Sequence, residues 1–134
     1  MIPEFDSDGE LPPGIYRATL GEIKSRLARV TTSERRITLF EVLERFAGAA
    51  RQSGIVVRLF IAGSFVSLKT DPGDLDLLVV YNLGVGEVDL APGQYNVIHR
   101  ARARRLFSHD LDIYPVREGS PAAREVLSFF QSNR

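Results

Sequence analysis

The chain has no cysteine, no tryptophan and a single methionine. Without cysteine it can form neither disulfides nor thiolate metal sites. No apolar run approaches the ~18 residues of a membrane-spanning helix, and no charged-then-apolar leader is present. Neither a membrane span nor a signal peptide is expected, and a cytoplasmic location is the default. Neither sign of charge is in excess, since 17 basic and 17 acidic residues give a formal net charge of zero. Attraction to nucleic acid, an anionic membrane or an acidic partner must therefore come from a local patch. Lysine is scarce as well, with only Lys24 and Lys69 in a basic set that is otherwise arginine. Internal repeats and low-complexity tracts are absent.

What remains is 134 residues, 44% of them hydrophobic, enough for one domain with a real core. Residues 1–14 carry Glu4, Asp6, Asp8 and Glu10 and close on Pro12, Pro13 and Gly14, the composition of a mobile or draped arm. Residues 15–134 are expected to form the domain. Thr19 with Glu22 makes a capping box before a short helix to about Arg29, and Thr31 with Glu34 repeats the signal before a longer helix ending at Gly54. In that longer helix Ile37, Phe40, Leu43, Ala47 and Ala50 form the expected buried stripe. The run at 55–61 predicts a core strand, Asp71-Pro72-Gly73-Asp74 a turn, and 74–80 a second strand. So short a link favours antiparallel pairing. A helix over 94–108, a third strand over 111–116 placed near an edge or a strand end by Pro115, and a final helix from Ser120 with Ala122, Val126, Phe129 and Phe130 available to dock on the sheet complete the series. The pattern is α+β, a small mixed sheet flanked by helices.

The stretch from Phe60 to Val80 carries the chemistry. Asp74 and Asp76 are two apart in an extended segment, so they project to one face with α-carbons roughly 7 Å apart. Two such carboxylates suit magnesium, which is often held by one or two carboxylates plus substrate phosphates. Gly63 lets the backbone approach a phosphate closely, and Ser64 adds a hydroxyl and an amide N–H. Asp74 alone would also fit a turn. Asp76 fits that plainer reading badly, because it lies at the mouth of a strand apolar on both faces.

Glycine-serine, nine residues, then two aspartates separated by one residue at the head of an apolar strand resembles the polymerase-beta-type nucleotidyltransferase superfamily, in its small single-domain prokaryotic members. The likeness is closest over 55–80 and extends more loosely over about 15–130, through LPPGIYRATLGEI and SFFQSN. It implies the minimal nucleotidyltransferase core and a two-metal magnesium site. It also implies that Gly63 and Ser64 touch a nucleoside triphosphate such as ATP, that Asp74 and Asp76 are metal ligands and catalytic residues, and that a third acid lies on a later strand. Asp110 and Asp112 share a face there. Asp112, between Leu111 and Ile113, is the preferred third acid, against the plainer reading of an edge-strand acid facing water. Lys69, between the glycine turn and the aspartates, is a candidate phosphate contact or a plain surface lysine. The run HRARARR at 99–105 could meet phosphates or form a solvated helix face.

The implied function is transfer of a nucleotidyl group to a hydroxyl of a protein or RNA, with a cognate toxin or antitoxin protein or a transfer RNA as partner, as in toxin–antitoxin or phage-defence pairs. The alternative is a binding or regulatory module that keeps the fold without turnover. Phe65 and Val66, standing where many small members have a polar residue after the serine, favour that alternative.

Overall fold

The computed structural model describes residues 2, 4–7, 9, 11, 18–28, 34–67, 72–84 and 89–125. The fold is α+β. Helix α1 (Leu20–Ile23) runs into π-type turns over Lys24–Ala28, followed by α2 (Glu34–Ser53), β1 (Val56–Ala62), a 3₁₀ turn (Gly63–Val66) and β2 (Leu75–Tyr81). Then come α3 (Pro92–Tyr95), α4 (Arg100–Leu106) and β3 (Leu111–Arg117), and residues 121–125 are helical. Among the described residues no helix is long and apolar enough to cross a membrane.

The capping box forms as expected, with the Glu22 amide donating to Thr19 Oγ1 at 3.1 Å and the Thr19 amide to Glu22 Oε1 at 3.4 Å. Its counterpart at Thr31 lies outside the described residues, as do the expected docking positions Val126, Phe129 and Phe130. Helix α2 ends where glycine permits it to, at Gly54 with φ +72°. Its buried stripe is rotated from the expected one. Leu39, Phe40, Val42, Leu43, Phe46 and Ala50 face the core, whereas Ile37 is 46% exposed and Arg36 is fully buried in its place. The expected helix over 94–108 is broken, since turns at 96–98 separate α3 from α4 and His99 caps the second piece by accepting from the Arg102 amide at 3.2 Å. In the helix after Ser120, Ala123 rather than Ala122 is buried.

The sheet order is β1-β2-β3, antiparallel between β1 and β2 and parallel between β2 and β3. The crossover through α3 and α4 supplies the length that a parallel pairing needs. β2 is therefore central, and five of its seven residues are buried, all but Asp76 and Tyr81. Leu75, Leu77 and Val79 join Leu111 and Ile113 of β3 and Leu39, Leu43 and Phe46 of α2 in one core. Each such side chain contributes on the order of 1.5–3 kcal/mol by leaving water. Phe107 closes one end edge-on to Phe46, ring centroids 5.3 Å apart. Of the N-terminal arm, Ile2 and Leu11 are buried in this core, and Arg26 donates to the Ile2 carbonyl at 2.7 Å.

Candidate functional site

β1 ends in a turn that only glycine makes without strain. Gly63 has φ +76°, and a Cβ there would sit 2.5 Å from Asp76 Oδ2. Backbone conformation and close approach thus select the same residue, and the approach is to a carboxylate. Asp76 stands opposite Ala62 on β1 and opposite Asp112 on β3. Directly paired residues project from the same side of a sheet, so Asp76 and Asp112 share a face with the glycine turn at its edge. Asp74, two residues before Asp76, is exposed at the strand mouth.

Burial pushes the Asp76 carboxyl up to about 6, and the negative charges of Asp74 and Asp112 push in the same direction. Among the described residues Asp76 forms no ion pair, so the charged form of this half-buried carboxyl beside two others is disfavoured. Asp112 differs because its oxygens are taken. Arg100 pairs with Oδ1 at 2.8 Å, and the Tyr114 hydroxyl donates to Oδ2 at 3.0 Å. Burial alone would raise the Asp112 carboxyl, but these two hydrogen bonds and the charges of Arg100 and Arg104 hold it below the usual carboxylate range. The hydrogen bond to Asp112, helped by burial and by the charges of Asp112 and Asp76, raises the Tyr114 phenol.

Asp110, the other acid of that strand, is bound by Arg35 at 2.9 Å, and this hydrogen bond keeps it below the ordinary range. Arg35 also donates to the carbonyls of Pro72, at 3.0 Å, and Gly73. The next residue, Arg36, is 0% exposed and donates to the carbonyls of Leu27 at 2.9 Å, Phe65 at 2.8 Å and Ser67. Its guanidinium lies over the Phe65 ring, 5.6 Å from the centroid. Phe65 is itself fully buried, so its side chain belongs to the core and not to the surface beside Gly63. The first turn of α2 therefore fixes both the glycine turn and the approach to β2.

Ser64 lies in the 3₁₀ turn; its side chain and all of Lys69 are outside the described residues. Among the described residues no three His, Cys, Asp or Glu side chains gather closely enough to enclose an ion by themselves. What is present is the pair Asp74 and Asp76 with Asp112 across the strand, held by Arg100 and Tyr114. Two open depressions, of about 500 and 600 Å³, lie elsewhere on the described surface, and the larger borders the acids through Arg100.

A family model described as a family of unknown function (DUF6932) matches residues 3–134. The chain belongs to that family. Neither a search of curated proteins nor one of solved structures gives a match. The family match takes in the glycine turn, all of the acids and every arginine just described.

Sequence reasoning gave no role to Arg36 or Tyr114, and did not foresee that Arg35 and Arg100, the latter within the HRARARR run, pair with Asp110 and Asp112. Two of these carried a signal. Arg36 falls on the helical spacing that leads to Phe40, Leu43 and Ala50, and Tyr114 is two residues from Asp112 and hence on its face. Arg35 and Arg100 reach their acids only through tertiary structure.

Proposed function

We propose that this protein is a metal-dependent nucleotidyltransferase that moves a nucleotidyl group from a nucleoside triphosphate to a hydroxyl of a protein or RNA. The observation that carries the reading is Asp76, a half-buried carboxyl raised to about 6 that lies against a glycine turn with no room for a Cβ. The donor set is all oxygen and suits magnesium, with Asp74 and Asp76 as the ligands and Asp112 available once its partners yield. When bound, magnesium would supply charge neutralisation for the phosphates and the transferring phosphoryl group.

The residues of the chain account for the other requirements. The backbone at Gly63 and Ser64 offers phosphate oxygens a close approach and amide donors. Arg36 and Arg35 hold that turn and the mouth of β2 in place. Asp112 is suited to accept the proton of the attacking hydroxyl, and Tyr114 already shows a hydroxyl at hydrogen-bond distance from it, 3.0 Å. The acceptor oxygen then bonds to the α-phosphorus as the bond to pyrophosphate breaks. A toxin–antitoxin or phage-defence setting, with a cognate protein or a transfer RNA as acceptor, belongs to the same proposal.

One observation favours the alternative of a binding or regulatory module, namely that both oxygens of Asp112 are occupied within the chain. A single experiment separates the two. Labelled nucleoside triphosphates are incubated with the protein, magnesium and a host lysate. A labelled protein or RNA band that disappears in the Asp74→Asn, Asp76→Asn double variant supports transfer. Magnesium-dependent triphosphate binding without labelled product from any of the four nucleotides supports the module. Binding that is equal in chelator removes the metal site and, with it, the reading as a metal-dependent transferase.

A further inference from the structure

Among the described residues, five arginines are spent on the fold itself: Arg26, Arg35, Arg36 and Arg45 donate to backbone carbonyls of other segments, and Arg102 donates to Asn96 at 3.0 Å and lies over the Tyr95 ring. The outer side of α4 is different. Arg100, Ala101, Arg104, Arg105 and His109 line an open depression of about 600 Å³, with no carboxylate among them. Among the described residues Arg104 donates only to the nearby His109 carbonyl, at 3.3 Å, and neither Arg104 nor Arg105 forms an ion pair. Exposed cations are thus concentrated here in a chain of zero net charge.

We propose that this face, Arg100, Arg104 and Arg105 with His109 beside them, binds the phosphate backbone of a single-stranded nucleic acid. Arg100 and Arg104 are one helical turn apart, roughly 6 Å along the axis; the forks of Arg104 and Arg105 match phosphate oxygens bidentately, and Arg100, which gives one nitrogen to Asp112 at 2.8 Å, has its remaining donors for a phosphate. The Arg100 guanidinium lies over the Tyr114 ring, 5.0 Å from its centroid, and Tyr114 remains 42% exposed, so the pair presents the arginine-and-aromatic surface on which an unpaired base stacks. An acidic peptide would use the cations but not the ring. A duplex is disfavoured because the face is one helix only ~10 Å long, bordered by Asp112, Asp76 and Asp74, which would repel a second line of phosphates. As a binding site the face stands independently of nucleotidyl transfer. Its further role, bringing an RNA hydroxyl toward Asp112, rests on the function proposed above.

The test is fluorescence anisotropy of labelled oligouridylate and oligothymidylate of equal length, without triphosphate or divalent ion, across a salt series. Engagement of about three phosphates gives a log–log salt slope near −2, or roughly 20-fold weaker binding between about 50 and 200 mM salt. Arg104→Gln with Arg105→Gln should bring the slope to about −0.7, and Arg105→Gln alone should remove about one third of it. Arg51→Gln with Arg58→Gln, the same charge loss at exposed positions off this face, should change neither affinity nor slope. Equal binding of the two oligomers supports readout of the backbone shared by RNA and DNA, and preference for oligouridylate supports RNA. Binding that is absent, insensitive to salt, unchanged in the Arg104, Arg105 variant, or displaced as well by polyglutamate as by unlabelled oligomer overturns the proposal. That failure would leave transfer to a protein hydroxyl intact, whereas failure of nucleotidyl transfer would leave the anisotropy result unchanged.

Discussion

Replacing Arg36 by leucine should loosen the glycine turn before it loosens the rest of the fold. The guanidinium is fully buried and donates to the carbonyls of Leu27, Phe65 and Ser67. Leucine leaves all three without that donor, and a buried acceptor left unsatisfied costs about 1–3 kcal/mol, so the gross loss is on the order of 3–9 kcal/mol. Relief from burying a charge works in the opposite direction, and burial already lowers the Arg36 pKa. Removing one partner from a buried charged network usually leaves a net loss of roughly 3–5 kcal/mol. We expect about 3 kcal/mol, a large share of the ~5–15 kcal/mol that holds a domain together, and a fall in Tm on the order of 10 °C. Lysine should recover little of this, because a compact ammonium lacks the fork that reaches carbonyls on two sides. Urea midpoints give the global change, and amide hydrogen exchange at residues 63–67 gives the local one. If the leucine variant matches the wild type in both, Arg36 is a tolerated buried charge and not the pin of the turn.

Asp76→Asn should stabilise the protein at pH 8. The folded-state pKa of about 6 lies above the ordinary 3.8, so the ionised carboxylate opposes folding above pH 6; the benefit of asparagine should shrink as pH falls from 6 toward 3.8, and a variant no more stable than wild type at pH 8 would contradict it. Magnesium should raise the Tm of the wild type and leave the Asp74→Asn, Asp76→Asn variant unmoved. Gly63→Ala combines a φ of +76° with a Cβ placed 2.5 Å from Asp76 Oδ2. It should cost roughly 2–4 kcal/mol, read by denaturant midpoint, with changed NMR shifts at Asp76. Arg100→Gln should move the Asp112 carboxyl upward, because burial is then opposed by fewer favourable partners; carboxyl NMR titration reads the shift.

The elements written in local chemistry were legible in the sequence. Thr19 and Glu22 announce a helix start, Gly54 a stop, and the segments at 55–61 and 74–80 two paired strands. The short link between those strands indicated their antiparallel sense, and Pro115 pointed to an edge or a strand end for β3, which the sheet order has at an edge. Asp76 was legible as well, as a carboxylate interrupting a strand apolar on both faces. The rotation of the α2 stripe was not, because the rule that apolar side chains mark the core gives an arginine no place there, and Arg36 is buried by virtue of three carbonyls distant in sequence. Nor was the break at 96–98. Residues 94–108 are helical by composition, and the interruption is settled by the His99 cap and by the packing of Val97, which is fully buried. The pairing of Asp112 with Arg100 depends on where α4 lies against β3, which no local signal encodes.

Arg35 and Arg36 are neighbours on one helical turn, yet they grip the chain on both sides of residues 68–71: Arg36 at Phe65 and Ser67, Arg35 at Pro72 and Gly73. Whatever joins Ser67 to Pro72, its two ends are anchored to the same helix. Replacement or lengthening of that junction therefore need not displace Gly63 or Asp76. The junction is a position where a protein engineer can graft a tag or recognition loop next to the acids, while the carboxylate centre keeps its shape.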